Sequence, residues 1–343
     1  MKVMKEEQPI LEVQHLSIDY PISIGVVRAV EDVSFTLGDG EALGLVGESG
    51  CGKSTLGLSI LKLLRPPGKV TAGRILYRGT DIISLNGHSL LKMRGQNISM
   101  IFQNPLTSLN PLFTVEGHFL ETIHFHDSTM PKHQALAAVR KMLQTLGIEE
   151  KRLKEYPHQL SGGMRQRIMI GLALIMNPDI LIADEPTTSL DVIVEAGFTE
   201  LLATLRKLYK LSIILITHNL GLVAEIADRI AVMYAGRLME IASSEEIFAR
   251  PLHPYTQGLI DCVPNILLDQ KELVTMQGSP PDLVDPPEGC RFAPRCPKVM
   301  PICREKTPPL LEHSPAHAAA CWLYGTRGAA ASPGDVVAPQ REA

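Results

Sequence analysis

The nine residues Gly47-Glu48-Ser49-Gly50-Cys51-Gly52-Lys53-Ser54-Thr55 constrain this chain more than any other stretch of it. They satisfy G-x-x-x-x-G-K-[ST], follow the apolar run ALGLV and precede the helix-like run TLGLSILKLL. Glycines admit the positive-φ backbone that turns successive N–H groups inward, making an anion nest at a helix N-terminus. Lys53 supplies a mobile charge for β and γ phosphates, and Ser54 a hydroxyl for Mg²⁺. Dinucleotide loops use a different spacing, G-x-G-x-x-G, which is absent. Cys51 reads as a small tolerated residue; the alternative is a redox-sensing thiol beside the phosphates.

A phosphate loop needs a strand before it and a helix after it, and the surroundings agree. Over about residues 10 to 245, short β-rich runs alternate with longer helical patterns, as in an α/β layer structure. Strand candidates are residues 11–20, 42–46, 98–102, 180–183 and 213–217. Three are continuous apolar runs, the pattern of parallel strands covered on both faces. Residues 118–176 carry no convincing strand, and AVRKMLQTLGI has apolar residues at helical spacing, so this stretch reads as a helical insertion.

Two further strand ends carry chemistry. Asp184 and Glu185 directly follow the run ILIA, and ligands of parallel sheets bind at carboxyl strand ends. Asp184 there can hold Mg²⁺ through water, and Glu185 can polarise an attacking water. Two solvated acids capping a strand is the bland alternative, and the neighbouring phosphate loop outweighs it. His218 ends the run IILIT, where an imidazole can donate to a γ-phosphate. Alone, such a histidine is more often structural.

Composition bounds the rest. The 343 residues are 45% hydrophobic and 20% charged, ample for a core of about two domains. With 33 Lys+Arg against 37 Asp+Glu, the net charge of −4 gives no general drive toward nucleic acid or anionic lipid. The longest apolar stretches, such as residues 168–176, are half the roughly 20 residues of a membrane-spanning helix. The opening MKVMKEEQPI does not read as a secretory signal, so a cytosolic, reducing location is expected.

Past residue 250, Pro, Gly and Cys become dense and helical periodicity fades. Residues 251–325 read as a small extension, too loop-rich for a large core of its own, and 326–343 as a disordered tail. Cys290, Cys296, Cys303 and Cys321 are spaced C-x5-C-x6-C-x17-C. In a reducing compartment such crowding suggests a thiolate site rather than disulfides. The spacing fits neither a zinc ribbon nor the usual ferredoxin patterns, so it licenses a four-thiolate site and no more. Zinc with help from His313 or His317, an iron–sulfur group, or no metal all remain open on spacing.

The segment Leu160-Ser161-Gly162-Gly163-Met164-Arg165-Gln166-Arg167 adds a second phosphate-binding turn before a helix. With the phosphate loop it resembles the LSGGQ signature of ATP-binding cassette (ABC) proteins. The resemblance covers about residues 10–250 and implies an α/β P-loop NTPase (RecA-like) fold with a helical subdomain at about 105–176. It implies that ATP is sandwiched between two cassettes, with Ser161, Gly162 and Gly163 of one facing the nucleotide of the other. Tyr20 stands near the family's adenine-stacking aromatic. Gln103 matches the glutamine contacting Mg²⁺ and the membrane subunit, Asp184 the Mg²⁺ aspartate, Glu185 the catalytic glutamate and His218 the switch histidine. Ser189-Leu190-Asp191 resembles the loop linking the two sites. Met164 replaces the usual Gln.

FQNPLTSLNP, ADEPTTSLDV, HPYTQGLID, GSPPDL and GCRFAPRCP further resemble the ATPase subunits of dipeptide/oligopeptide and nickel importers. That implies a second, different ATPase subunit, two transmembrane permease subunits, an extracytoplasmic peptide-binding protein and no nucleic acid. It implies a peripheral position on the cytoplasmic face of the inner membrane, with motion passed to the permeases by helical regions around 102–111. Nickel or another small solute as cargo, and a soluble non-transport ABC ATPase, are the alternatives. The resemblance also implies a [4Fe–4S] cluster on the four cysteines, with zinc as the alternative.

Overall fold

The computed structural model describes residues 8–103, 109–187, 192–262 and 276–325. Its centre is an eight-stranded sheet in the order β11-β12-β10-β9-β3-β8-β7-β6, made of β3 Ala42–Val46, β6 Ile98–Ile101, β7 Ile180–Asp184, β8 Ser212–Thr217, β9 Arg229–Tyr234, β10 Arg237–Ser243, β11 Leu311–Ser314 and β12 His317–Ala319. From β9 across to β6 the pairings are parallel. Every residue of β3, β6, β7 and β8 is buried.

β3, β7 and β8 read as apolar runs over 42–46, 180–183 and 213–216 because both faces are covered, while β6 adds the buried Ser99. Ile180, Ile182, Ile214 and Ile216 face one apolar core, while Leu181, Ala183, Ile213 and Leu215 face the other. The first core is closed by a second sheet, ordered β2-β1-β4-β5, of β1 Leu11–Ile22, β2 Gly25–Leu37, β4 Lys69–Tyr77 and β5 Thr80–Asp81. All its pairings are antiparallel. Only β1 of this sheet was expected from sequence.

The second core holds the helices Val115–His126, Lys132–Thr145 and Gly162–Leu174, through Phe119, Ile123, Val139, Met142, Ile168 and Leu174. Thr114 starts the first by accepting from Gly117 N at 3.1 Å. This is the helical stretch expected at 105–176, beginning at Val115. The helical region expected around 102–111 is not seen among its described residues, since 102–103 and 109–111 are non-helical and 104–108 lie outside the described set.

The C-terminal residues do not stand apart. β12 pairs with β10, setting Ala319 against Glu240, and Tyr255, Phe292, Cys290 and Cys303 join the second core. Arg291, only 1% exposed, donates to Ala235 O and pairs with Glu31. Burial pulls its pKa down to about 10, against the raising effect of Glu31. The described residues of the extension thus pack into the main core.

Candidate functional site

Four neighbouring strands end on one edge, and each delivers part of a site. Val46 pairs with Thr217, Asp184 with Ile216, and Ile101 with Ala183. The register therefore sets Gly47, His218, Glu185 and Gln103 just beyond the carboxyl ends of β3, β8, β7 and β6.

The loop after β3 is tightly seated. Gly47 has φ 150°, and a Cβ there would stand 2.1 Å from Met233 O. Gly52 has φ 102°, caps the helix Lys53–Ile60, and would bring a Cβ to 2.3 Å from Ala29 O. No side chain fits either position. Ser49 and Gly50 are exposed at the tip, whereas Cys51 and Lys53 are buried. Lys53 Nζ donates to Gly47 O at 2.7 Å and Glu48 O at 2.9 Å, so its charge sits inside the curl of the loop. Burial raises the Cys51 thiol's pKa, against the lowering effect of Lys53.

Ser54 Oγ donates to Asp184 Oδ1 at 2.8 Å. Asp184 is buried, and desolvation raises its pKa despite that hydrogen bond. A hydroxyl and a carboxylate short of positive charge are hard oxygen donors of the kind Mg²⁺ takes. Glu185 has φ 44°, rare for a side chain of this size, and its N donates to Ile216 O at 2.8 Å. Its Oε2 accepts from Gln103 Nε2 at 2.7 Å, and its Oε1 lies 3.4 Å from His218 Nδ1. Lys53, Ser54, Asp184, Glu185, Gln103 and His218 are thus held on one sheet edge by three contact groups.

Ser161, Gly162 and Gly163 lie elsewhere, at the start of the helix Gly162–Leu174. Ser161 Oγ accepts from Met164 N at 3.3 Å, and Ser161 and Gly162 are exposed. The same helix reaches the sheet edge through Gln166, which is buried and donates to Pro186 O at 2.5 Å. Tyr20 is half-buried on β1, its ring over Gly68. Thr55 occupies the first turn after Lys53. Asp191, expected in the loop linking two sites, lies outside the described residues.

Sequence reasoning missed several contacts. Glu195 Oε1 accepts from Thr187 Oγ1 at 3.0 Å and Asn219 Nδ2 at 2.8 Å, tying the segment after Glu185 to the residue after His218. Tyr255 Oη accepts from Glu48 N at 2.9 Å, and Arg295 NH1 pairs with Glu48 Oε2 at 2.8 Å. Both come from motifs that had served only as subfamily marks.

Cys290, Cys296, Cys303 and Cys321 line one cavity of about 10 Å³ together with His253, Phe292 and Trp322. Burial, then neighbouring thiols among the lesser causes, pushes Cys290 and Cys321 up to about 11 and raises Cys296. Among the described residues no group of three or more His, Cys, Asp or Glu has the geometry of a metal-ion site. The donor chemistry suits a thiolate-bound metal, but the space is about that of one water, so a cluster requires the thiols to part. His313 and His317 point to other partners: His317 Nε2 lies 2.7 Å from Glu240 Oε1, and His313 Nε2 lies 3.3 Å from Ala319 O.

Comparison with known proteins shows the family. A family model described as "ABC transporter" fits residues 30–188, and one described as "Oligopeptide/dipeptide transporter, C-terminal region" fits residues 239–303. The dipeptide transport ATP-binding protein DppD of Bacillus subtilis is 48% identical over 93% of this chain and 96% of its own length. The oligopeptide transport ATP-binding protein OppD of Salmonella typhimurium is 44% identical over 91% and 93%. A solved dimeric ATP-binding cassette, in a post-hydrolysis state bound to ADP and Pi, superposes with a TM-score of 0.61 at 27% identity, covering 68% of this chain and 98% of its own.

Proposed function

Because this chain belongs to the ATP-binding subunits of the dipeptide/oligopeptide ABC importers, we propose that its sheet-edge residues hydrolyse ATP between two cassettes and drive peptide uptake through membrane partners. It is an ATPase motor subunit of such an importer. The observation that carries the site assignment is the convergence of Lys53, Ser54, Asp184, Glu185 and His218 at neighbouring strand ends.

In this reading the loop amides and Lys53 bind the β and γ phosphates. Ser54 and Asp184, with Gln103, would hold Mg²⁺, which would supply charge neutralisation on the triphosphate. Glu185 orients the water for in-line attack on the γ-phosphorus and takes its proton. His218 steadies Glu185 and reaches toward the γ-phosphate. Ser161, Gly162 and Gly163 close on the nucleotide of the opposite cassette, where the helix N-terminus that Ser161 caps faces the anion. Asp191 links the two sites.

The partners are a second, different ATPase subunit, two permease subunits and an extracytoplasmic peptide-binding protein, with no nucleic acid. Among the described residues no helix is long and apolar enough to cross a membrane, which suits a peripheral place on the cytoplasmic face of the inner membrane. Lys53→Ala tests the site. ATP affinity, measured by calorimetry on the purified chain, is expected to fall about 10- to 100-fold for the loss of a charge-assisted contact. Unchanged affinity sinks the assignment.

The four thiols are read as ligands of one thiolate-bound metal group, a reading their shared cavity supports, and the choice of an iron–sulfur cluster over zinc rests on the resemblance alone. It would cross-link the loop-rich extension. Anaerobically purified protein is expected to be brown, with iron and sulfide lost in the Cys290→Ala/Cys296→Ala variant. A colourless, iron-free preparation with stoichiometric zinc decides for zinc instead.

A further inference from the structure

Glu48 is the second residue of the phosphate loop, and every polar group it carries is engaged. Its carbonyl accepts from Lys53, its amide donates to Tyr255 Oη, and its carboxylate meets Arg295. The last two partners lie 207 and 247 residues away, in the C-terminal extension. Neither is a casual surface contact. The Arg295 side chain is 5% exposed and fixed at both ends, with Nε donating to Gln277 O at 2.9 Å and NH1 reaching Glu48 and, at 3.2 Å, Tyr234 Oη. Its guanidinium also lies 5.7 Å from the centre of the Tyr234 ring.

Tyr255 is fully buried and packs on Tyr234 and Phe292, with ring centroids 4.6 and 5.4 Å apart. Arg295 sits next to Cys296 in the short stretch between two of the four clustered thiols. We propose that Arg295, with Tyr255, is a positioning residue for ATP binding: from the C-terminal extension it holds the phosphate loop open to a triphosphate and neutralises the Glu48 carboxylate beside it. The inference rests on the reading of this loop as the seat of ATP.

A carboxylate one residue into a phosphate loop repels a triphosphate unless a cation answers it. The only described cation paired with Glu48 is Arg295. Lys53 is occupied with backbone carbonyls of the same loop and is needed by the phosphates. Removing the guanidinium both frees the loop's first turn and exposes the nucleotide to Glu48.

The test is ATP affinity by calorimetry on the full chain, for Arg295→Gln in the natural and Glu48→Gln backgrounds. Arg295→Gln is expected to weaken ATP binding about tenfold in the natural background and by less than about twofold once Glu48 is neutral. In the assembled transporter its KM for ATP rises while kcat at saturation stays the same, and Arg295→Lys restores part of the affinity. Equal weakening in both backgrounds, or none in the natural one, overturns the proposal. Should Arg295→Gln fail to fold, Arg295→Lys decides instead: it keeps the charge opposite Glu48 and is expected to bind ATP within about threefold of the unaltered chain, and a loss of about tenfold overturns the proposal. If the unaltered chain fails to bind ATP, or Lys53→Ala binds normally, the ATP reading falls instead.

Discussion

Replacing Glu185 by glutamine is expected to cut ATP turnover by about 10²- to 10⁴-fold, the usual worth of a positioned general base, while ATP binding survives. The change is nearly isosteric, so Gln103 and His218 keep a partner at the same place, 2.7 and 3.4 Å away. The left-handed backbone at Glu185 is anchored by the bond from its N to Ile216 O and does not depend on the carboxylate. Lys53, Ser54 and Asp184, which would hold phosphate and Mg²⁺ in this reading, keep their own hydrogen bonds, and loss of the Glu185 charge removes one of the influences that raise the Asp184 pKa. What disappears is one basic oxygen aimed at the attacking water. Binding without hydrolysis leaves the two cassettes closed on ATP, so a nucleotide-loaded dimer should persist on a sizing column. Phosphate release measured in the assembled transporter checks the rate. A rate near that of the unaltered protein would remove Glu185 from the role of base.

How much of this was legible in the sequence depends on where the determining partner lies along the chain. β3, β7 and β8 were visible because strands buried on both faces read as apolar runs, and β6 as a short β-rich run despite its buried Ser99. β4 was not, since KVTAGRILY is mostly exposed and carries little apolar pattern. β12 is three residues long, and its pairing with β10 spans a stretch dense in Pro and Cys that reads as loop. The candidate site residues Lys53, Asp184, Glu185 and His218 stood out because phosphate chemistry demands particular residue types directly after strands. Arg295 and Tyr255 carried no such local signature. Their meaning comes from Glu48, more than two hundred residues earlier, and one sequence does not state which distant residues will meet.

Glu240→Ala is expected to destabilise the fold by about 3–5 kcal/mol, the summed cost of leaving three hydrogen-bonding groups without their acceptor at about 1–3 kcal/mol each. Glu240 lies on β10 with no solvent exposure. Its Oε1 accepts from Leu252 N at 2.7 Å and lies 2.7 Å from His317 Nε2, and its Oε2 accepts from His253 N at 2.8 Å. Truncation strands all three groups in a place water does not reach. Two of them are the backbone amides that start the helix Pro254–Asp261, and His253 caps that helix by accepting from Tyr255 N at 3.0 Å. Burial, opposed only in part by Glu240, pulls the His253 imidazole down to about 4, so near neutral pH it stays uncharged and its Nδ1 is free to accept. Urea unfolding followed by circular dichroism should show a lower midpoint at an unchanged slope. A loss below about 1 kcal/mol would mean that the carboxylate does not pin this helix. The same helix carries Tyr255 to the amide of Glu48, so the carboxylate that anchors the extension to the sheet also fixes the geometry of the phosphate loop.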